Sequence, residues 1–149
     1  MSIPYDIFVG AFLAKITEYE LGFLAESDRD TIVYGYMNRA ISGFKRNCKY
    51  DLVNTRSDDT QEFIIDIPDG DIDYIVDIVS EGMIVQWLKP YVYRQELLEN
   101  TINTRDFTTY SPAELLMRVG NAYAKAQKDY TQMIRDYSYN VGDLTDLHL

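Results

Sequence analysis

Cysteine and histidine are almost absent from this sequence, and their scarcity removes whole classes of chemistry. The one cysteine, Cys48, cannot close a disulfide within the chain, so a reducing, intracellular setting is expected. It stands between Asn47 and Lys49 with one positive charge nearby and no base, the pattern of a small half-buried residue and not of a nucleophile. The one histidine, His148, is next to last, so a Ser/His/Asp or Cys/His arrangement would have to recruit a chain end into a preorganised site. Phosphate-cradling loops are missing as well, since Gly70, Gly82, Gly120 and Gly142 stand singly. Asp69, Asp71 and Asp73 match the first ligand positions of a calcium loop, but Tyr74 falls where that loop needs glycine and Ser80 where it needs a bidentate glutamate. Neither an enzyme nor a metal or cofactor site is expected. Long apolar runs are lacking too. The longest, residues 82–88, lies between Glu81 and Lys89 and is far short of the roughly 20 residues of a membrane span. The opening Met-Ser-Ile-Pro-Tyr-Asp has neither the basic nor the apolar region of a secretory signal.

What is present is enough for one ordinary domain. The 149 residues are 46% hydrophobic and 26% charged, a composition that builds a single core without disulfides or metal. The net charge of −10 argues against phosphate-backbone binding through a general basic surface, though not against a local basic patch. The charge is uneven: residues 48–73 carry 2 basic and 8 acidic groups, more than half of the excess. That stretch also holds Asp58-Asp59, Pro68 and Asp69-Gly70, so acid coincides with turn signals, and a loop or protruding hairpin over residues 48–70 is expected. Within it, Phe63, Ile65 and Ile67 fall on one side of an extended chain, one short strand or half a hairpin.

Elsewhere the period is helical. Ile7, Phe8, Ala11, Phe12, Ile16, Tyr19 and Phe23 predict a first helix over residues 4–24, with Pro4 in its first turn. Ser27 offers a cap for a second helix ending near Asn47, striped by Val33, Tyr36, Met37, Ala40, Ile41 and Phe44. Asp69 or Asp71 can cap a third, striped by Ile72, Ile75, Val76, Val79, Met83 and Trp87, which Pro90 is expected to kink or interrupt. The fourth start is the best defined. Ser111-Pro112-Ala113-Glu114 combines a capping serine, proline at the first helical position and glutamate three residues after the cap. From there Leu116, Val119, Tyr123, Ala126, Tyr130, Met133 and Tyr137 follow alternating spacings of three and four, the seam of helices packed nearly parallel. A helix over residues 112–137 is about 39 Å long, as long as a compact globule of this size is wide, about 38 Å. The seam serves either the core of a monomeric bundle or, in part, a neighbouring copy. Thirteen tyrosines favour surfaces that are wet before assembly and buried after it. The expected fold is therefore mostly α: a four-to-five-helix bundle with a long C-terminal helix, a small β-hairpin or loop insertion and an extended tail over residues 138–149.

The chain resembles the head-tail connector (adaptor, or head-completion) proteins of tailed bacteriophages. The resemblance rests on the order of elements and on three stretches: Val76-Asp77-Ile78-Val79-Ser80-Glu81-Gly82-Met83 through Trp87-Leu88-Lys89-Pro90; Thr108-Thr109-Tyr110-Ser111-Pro112-Ala113-Glu114-Leu115-Leu116; and Arg135-Asp136-Tyr137-Ser138-Tyr139-Asn140 followed by Gly142-Asp143-Leu144. It implies a virion protein, assembled in the host cytoplasm, that forms a dodecameric ring docked on the portal, continues the DNA channel and meets a stopper or tail-completion protein. In that family the segment after the last helix binds the portal. Here that segment contains Leu144, Leu147 and Leu149 with His148 among acidic neighbours, where the bare chain-end expectation is a frayed terminus. On the same footing, Asp58, Asp59, Glu62, Asp69 and Asp71 are candidates to line the channel, where like charge keeps DNA from adhering; they could also face outward or pair with cations of a neighbouring subunit. Another neck or tail-completion protein, or an acidic helical regulator that mimics DNA, are the alternatives.

Overall fold

The computed structural model describes residues 2–18, 30–93 and 112–141. Four helices run through them: α1 (Tyr5–Glu18), α2 (Asp30–Phe44), α3 (Asp69–Tyr93) and α4 (Pro112–Val141). A small antiparallel sheet of two-residue strands joins β1 (Ile3–Pro4), β2 (Arg56–Ser57) and β3 (Glu62–Phe63) in the order β1-β3-β2. The mostly helical bundle with a long C-terminal helix and a small β insertion is the architecture that the periodicity predicts.

The third helix is the axis. An amphipathic surface helix would bury one stripe, yet every residue from Ile78 to Val85 is buried, including Ser80 and Glu81. The expected stripe of Ile75, Val79, Met83 and Trp87 is joined by Ile78, Ile84 and Leu88 on other faces, because α1, α2 and α4 surround α3. Contacts give the directions. Lys15 meets Asp77 and Glu81 while Phe12 stacks on Trp87, Ala40 lies beside Gly82 while Phe44 shares Tyr137 with Tyr74, and Tyr130 lies beside Gly82. All three outer helices therefore run antiparallel to α3.

Tyr130 is where three of these helices interlock. Its hydroxyl donates to the Ala40 carbonyl at 2.6 Å, and its ring fills space that side chains at two glycines would need. A Cβ at Gly82 would lie 2.6 Å from the Tyr130 ring and 2.8 Å from the Ala40 Cβ, and one at Gly43 would lie 2.6 Å from the Tyr130 hydroxyl. Both glycines buy close approach, not a special backbone angle.

The insertion folds as a strap along the bundle. Asp51 starts it: its carboxylate accepts the backbone N–H groups of Val53 and Asn54 and the Asn54 side-chain amide, and those donors hold its pKa below the usual range. The chain then reaches the sheet, turns through residues 58–61 with Gln61 in the left-handed region at φ 56°, and returns. Phe63, fully buried, stacks on Tyr5 and Phe8 at 4.9 and 5.5 Å. The predicted alternation holds beyond the ladder, with Ile67 buried, Ile65 half-buried and Ile64 exposed.

Several boundaries differ from expectation. Pro4 ends β1 instead of opening α1; lacking an N–H, it can sit on an edge strand without losing a ladder bond. Ile7, placed on the first apolar stripe, is 44% exposed, and Tyr19, Phe23 and Ser27 lie outside the described residues. The third helix is capped by neither aspartate. The Pro68 carbonyl, just before the helix, accepts its first intrahelical bonds from the N–H groups of Asp71 and Ile72, and Asp69 and Asp71 occupy the first turn, where carboxylates suit the helix dipole. That helix also passes through Pro90 to Tyr93, since buried Trp87 and Leu88 hold its last turns against the bundle. The fourth begins at Pro112 as predicted but continues to Val141, so residues 138–141 belong to the helix and not to a tail.

Gly82→Ala gains about 1 kcal/mol of helix propensity but overpacks the junction by about 1–3 kcal/mol, so a net loss is expected as a lower urea midpoint. Gly43→Ala should be less damaging in a Tyr130→Phe background than in the wild type, because the atom it would strike is then gone.

Candidate functional site

The fourth helix carries the seam first. Val119, Ala126 and Tyr137 are buried, and Leu116, Tyr123, Tyr130 and Met133 are half-buried against the core, so the seam faces α2 and α3 of its own chain. Tyr137 shows how closely. Its ring packs edge-on to Phe44 at 5.0 Å and against Tyr74 at 5.7 Å, and its hydroxyl accepts the Lys49 backbone N–H at 3.0 Å. Burial pushes Tyr130 and Tyr137 each up to about 12. Of the two alternatives for this seam, the core of one bundle or in part a neighbouring copy, the packing here is of the first kind for Val119, Ala126, Tyr130 and Tyr137, because two helices already stand on that side. What α4 leaves outward is polar, with Met117 and Tyr139 exposed toward its two ends.

The acidic candidates do not form one loop surface. Asp58, Asp59 and Glu62 lie at the hairpin turn, and Asp69 and Asp71 lie across the returning strand at the start of α3. The turn is tied to the N-terminus of the bundle. Tyr5 donates its hydroxyl to Asp58 at 2.8 Å and its N–H to the Gln61 carbonyl at 3.0 Å, and the Ser2 hydroxyl donates to Glu62 at 2.8 Å. Burial, then the Asp58 bond, raises the Tyr5 pKa. Asp71 accepts the Tyr50 hydroxyl, and that bond, with burial, pushes Tyr50 up to about 12. Only part of the acid excess is therefore a solvated run; Asp51, Asp58, Glu62 and Asp71 also hold the strap in place.

Two open concavities flank the bundle. One, of about 350 Å³, is lined by Lys15, Asp77, Glu81, Lys125, Asp129, Gln132 and Met133. In it Lys15 Nζ lies 2.6 Å from Asp77 and 2.8 Å from Glu81, joining α1 to α3. Burial alone would lower the Lys15 pKa, but the two carboxylates outweigh it and raise it. The other, of about 450 Å³, has Ile41, Phe44 and Leu52 in its walls together with Lys45, Lys49, Tyr50, Asp51 and Asn54. Cys48 lines it as well, and burial pushes its thiol up, away from thiolate character.

Those lysines belong to a feature that the segment charges conceal. Residues 39–49 hold Arg39, Lys45, Arg46 and Lys49 with no acid between them, and all four are exposed. Counted over residues 1–47 the cations are cancelled by six acids, so the signal was in the sequence but at a shorter window. The tail candidates Leu144, Leu147, His148 and Leu149 lie outside the described residues.

Removing Lys15 leaves the 6%-exposed Glu81 facing only the more exposed Asp77. Lys15→Met is expected to cost about 2 kcal/mol, below the range for a fully buried pair because Lys15 is part-exposed, and adding Glu81→Leu should recover most of it in urea titrations. The tyrosines give a second test. Their folded pKa values exceed the unfolded value of about 10, so the stability they contribute is complete below that pH and is lost as pH rises toward 12. Urea midpoints should fall above pH about 10, and Tyr130→Phe/Tyr137→Phe should flatten that fall while starting lower at pH 8.

Comparison with protein-family models, with curated proteins and with solved structures finds no match to this chain.

Proposed function

We propose that this chain is a structural neck protein of a tailed phage: the subunit of a ring, a dodecamer on the family's pattern, that docks under the portal, continues the DNA channel and connects head to tail. The observation that carries the reading is α4. At 30 residues it is about 45 Å long, exceeding the width of about 38 Å of a compact globule of this length. One face of that rod is spent on α2 and α3, while Met117, 62% exposed, and Tyr139, 71% exposed, stand outward toward its two ends. On an otherwise polar outer face, Met117 and Tyr139 are the side chains that contact with a neighbouring subunit would bury. The outward Ile7 and Leu13 of α1 and Ile32 of α2 support the same reading. So does the sequence order that carries the resemblance, two helices, a polar insertion, an axial helix and a long final helix.

In this role no chemistry is required of the subunit. The surplus of negative charge makes the assembled ring a like-charged conduit, which DNA crosses without adhering. The leucine-bearing segment with Leu144, Leu147 and Leu149 is the portal-binding element on this reading, and the opposite face of the ring receives the stopper or tail-completion protein.

Negative-stain imaging of the purified chain, alone and mixed with a portal, tests the proposal. Rings about one subunit thick, alone or on the portal, are the expected result. A discrete monomer or dimer under both conditions that instead captures a basic protein would replace this proposal with the acidic regulatory module.

A further inference from the structure

Two neighbouring helices carry exposed cations that stand without carboxylate partners. The helices α2 and α4 run in the same direction, both antiparallel to α3, and Tyr130 sets their register by touching Ala40 and Gly43. On α2 Arg39, Gly43 and Arg46 follow spacings of four and three, so both arginines share the stripe that meets Tyr130. On α4 Lys128, Thr131 and Arg135 follow spacings of three and four, and all three are exposed. Lys128 is about level with Arg39 and Arg135 with Arg46, and the two levels are about 10 Å apart. No ion pair among the described residues involves any of these four cations.

The carboxylates near this flank face other ways. On α4 Asp129 is paired with Lys125 at 2.7 Å, and with Asp136 seven residues on it belongs to the side that faces Lys15. Asp69 and Asp73 precede Gly82, the residue of α3 that meets α2 and α4, by thirteen and nine positions, which turns them about 140° and 180° away around that helix. Asp66 and Asp71 stand around Tyr50, and Asp51 shares the pocket of Lys45 and Lys49, so those two lysines lie among acids on the strap side of α2. Asp30 and Glu114 open α2 and α4, more than two turns before Arg39 and Lys128. The cations of residues 39–49 therefore divide: Lys45 and Lys49 are balanced, and Arg39 and Arg46 join Lys128 and Arg135 with no acid between them.

We propose that the flank shared by α2 and α4 receives an acidic α-helix of a partner protein, laid along the two helices with carboxylates at seven-residue spacing. Seven residues is close to two helical turns, so carboxylates at that spacing return to one face and meet both levels of cations. The positions between the cations are small, Gly35 and Ser42 on α2 and Ala124 and Thr131 on α4, and a Cβ at Gly35 would meet nothing within 4 Å. Such low relief lets a third helix approach closely. Toward the starts of both helices the flank turns apolar, with Ile32 seven residues before Arg39 and Met117 exposed on α4. The matching helix is therefore acidic over two turns and apolar at one end. Duplex DNA is the poorer occupant, because it is wider than a helix and would set phosphates against Asp136 on one side and the strap acids on the other. The inference does not rest on the connector reading.

Fluorescence anisotropy with a labelled synthetic helical peptide tests it. The peptide carries a leucine at one end, glutamate at every seventh position after it and alanine and glutamine elsewhere; a control has the same composition with the glutamates scrambled. The full chain should bind the first peptide at least about tenfold more tightly than the control. Arg39→Glu/Lys128→Glu should weaken that binding about tenfold or more, whereas Lys45→Glu/Lys49→Glu, the same charge change on the strap side, should leave it within about twofold. Equal affinity for the two peptides, equal losses in the two variants, or no binding overturns the proposal. Retardation of duplex DNA that Arg39→Glu/Lys128→Glu abolishes, without peptide binding, would make the flank a nucleic-acid surface and overturn it as well. A second measurement needs no ligand. Because the cations repel one another in the free chain, Arg39→Gln/Lys128→Gln should leave the urea midpoint unchanged or raise it, and a fall would make them structural and overturn the docking role.

Discussion

Burial of the middle of α3, residues 78–85, on every side is the constraint from which the rest of the structure follows. Ile75, Ile78, Val79, Met83, Ile84, Trp87 and Leu88 are fully removed from solvent, and side chains of this size each contribute about 1.5–3 kcal/mol on burial. A helix apolar on all its faces cannot stand at a surface, so it must be enclosed, and three antiparallel helices do this. The strap enters the same scheme: Phe63 closes the core beside Tyr5 and Phe8, while Leu52 and Ile67 are buried on either side of the sheet.

Enclosing one helix by three has a steric cost at the places where helices approach most closely. The bundle meets it with glycines at positions 43 and 82 and with Tyr130, whose ring lies in the gap and whose hydroxyl satisfies itself on the Ala40 carbonyl. Several polar groups inside the body are paired in the same way, while Asn38 Oδ1 and Trp87 Nε1 are buried without a hydrogen-bond partner. Glu81 is held by Lys15, and the Tyr137 hydroxyl takes the Lys49 N–H. The tyrosine richness of the sequence is therefore in large part an internal device, joining helices through an apolar ring and a bonded tip. The outward faces of α1 and α4 and the turn at residues 58–61 are left exposed.

Much of this was legible in advance, for reasons particular to each element. The start of α4 is written in Pro112 and Glu114, residues whose backbone chemistry suits only a helix beginning, and the structure starts that helix at Pro112. The α2 stripe holds because Val33, Met37, Ala40, Ile41 and Phe44 repeat at helical spacing over three turns, and all five are buried. Other features were not legible. The two-residue strand at Ile3–Pro4 carries no periodic signal, since two residues define no period, and its existence depends on Phe63 sixty positions away. The helix start also escaped: Asp69 and Asp71 have the chemistry of capping residues, but both lie inside the first turn, and Pro68 holds the flanking position whose carbonyl accepts the first intrahelical bonds.

The sequence by itself determined which faces are apolar, where α4 begins, that residues 48–73 interrupt the helices, and how much charge of each sign the chain carries. It could not determine what covers each face, because periodicity describes one helix at a time whereas burial is a property of pairs. Only the tertiary structure decided that the α4 seam is satisfied within its own subunit and that the acid of the insertion divides into two groups, several of whose members anchor the strap. It alone decided that the four cations of residues 39–49 are all exposed. Distances between side chains remote in the chain set those outcomes, and no local pattern encodes them.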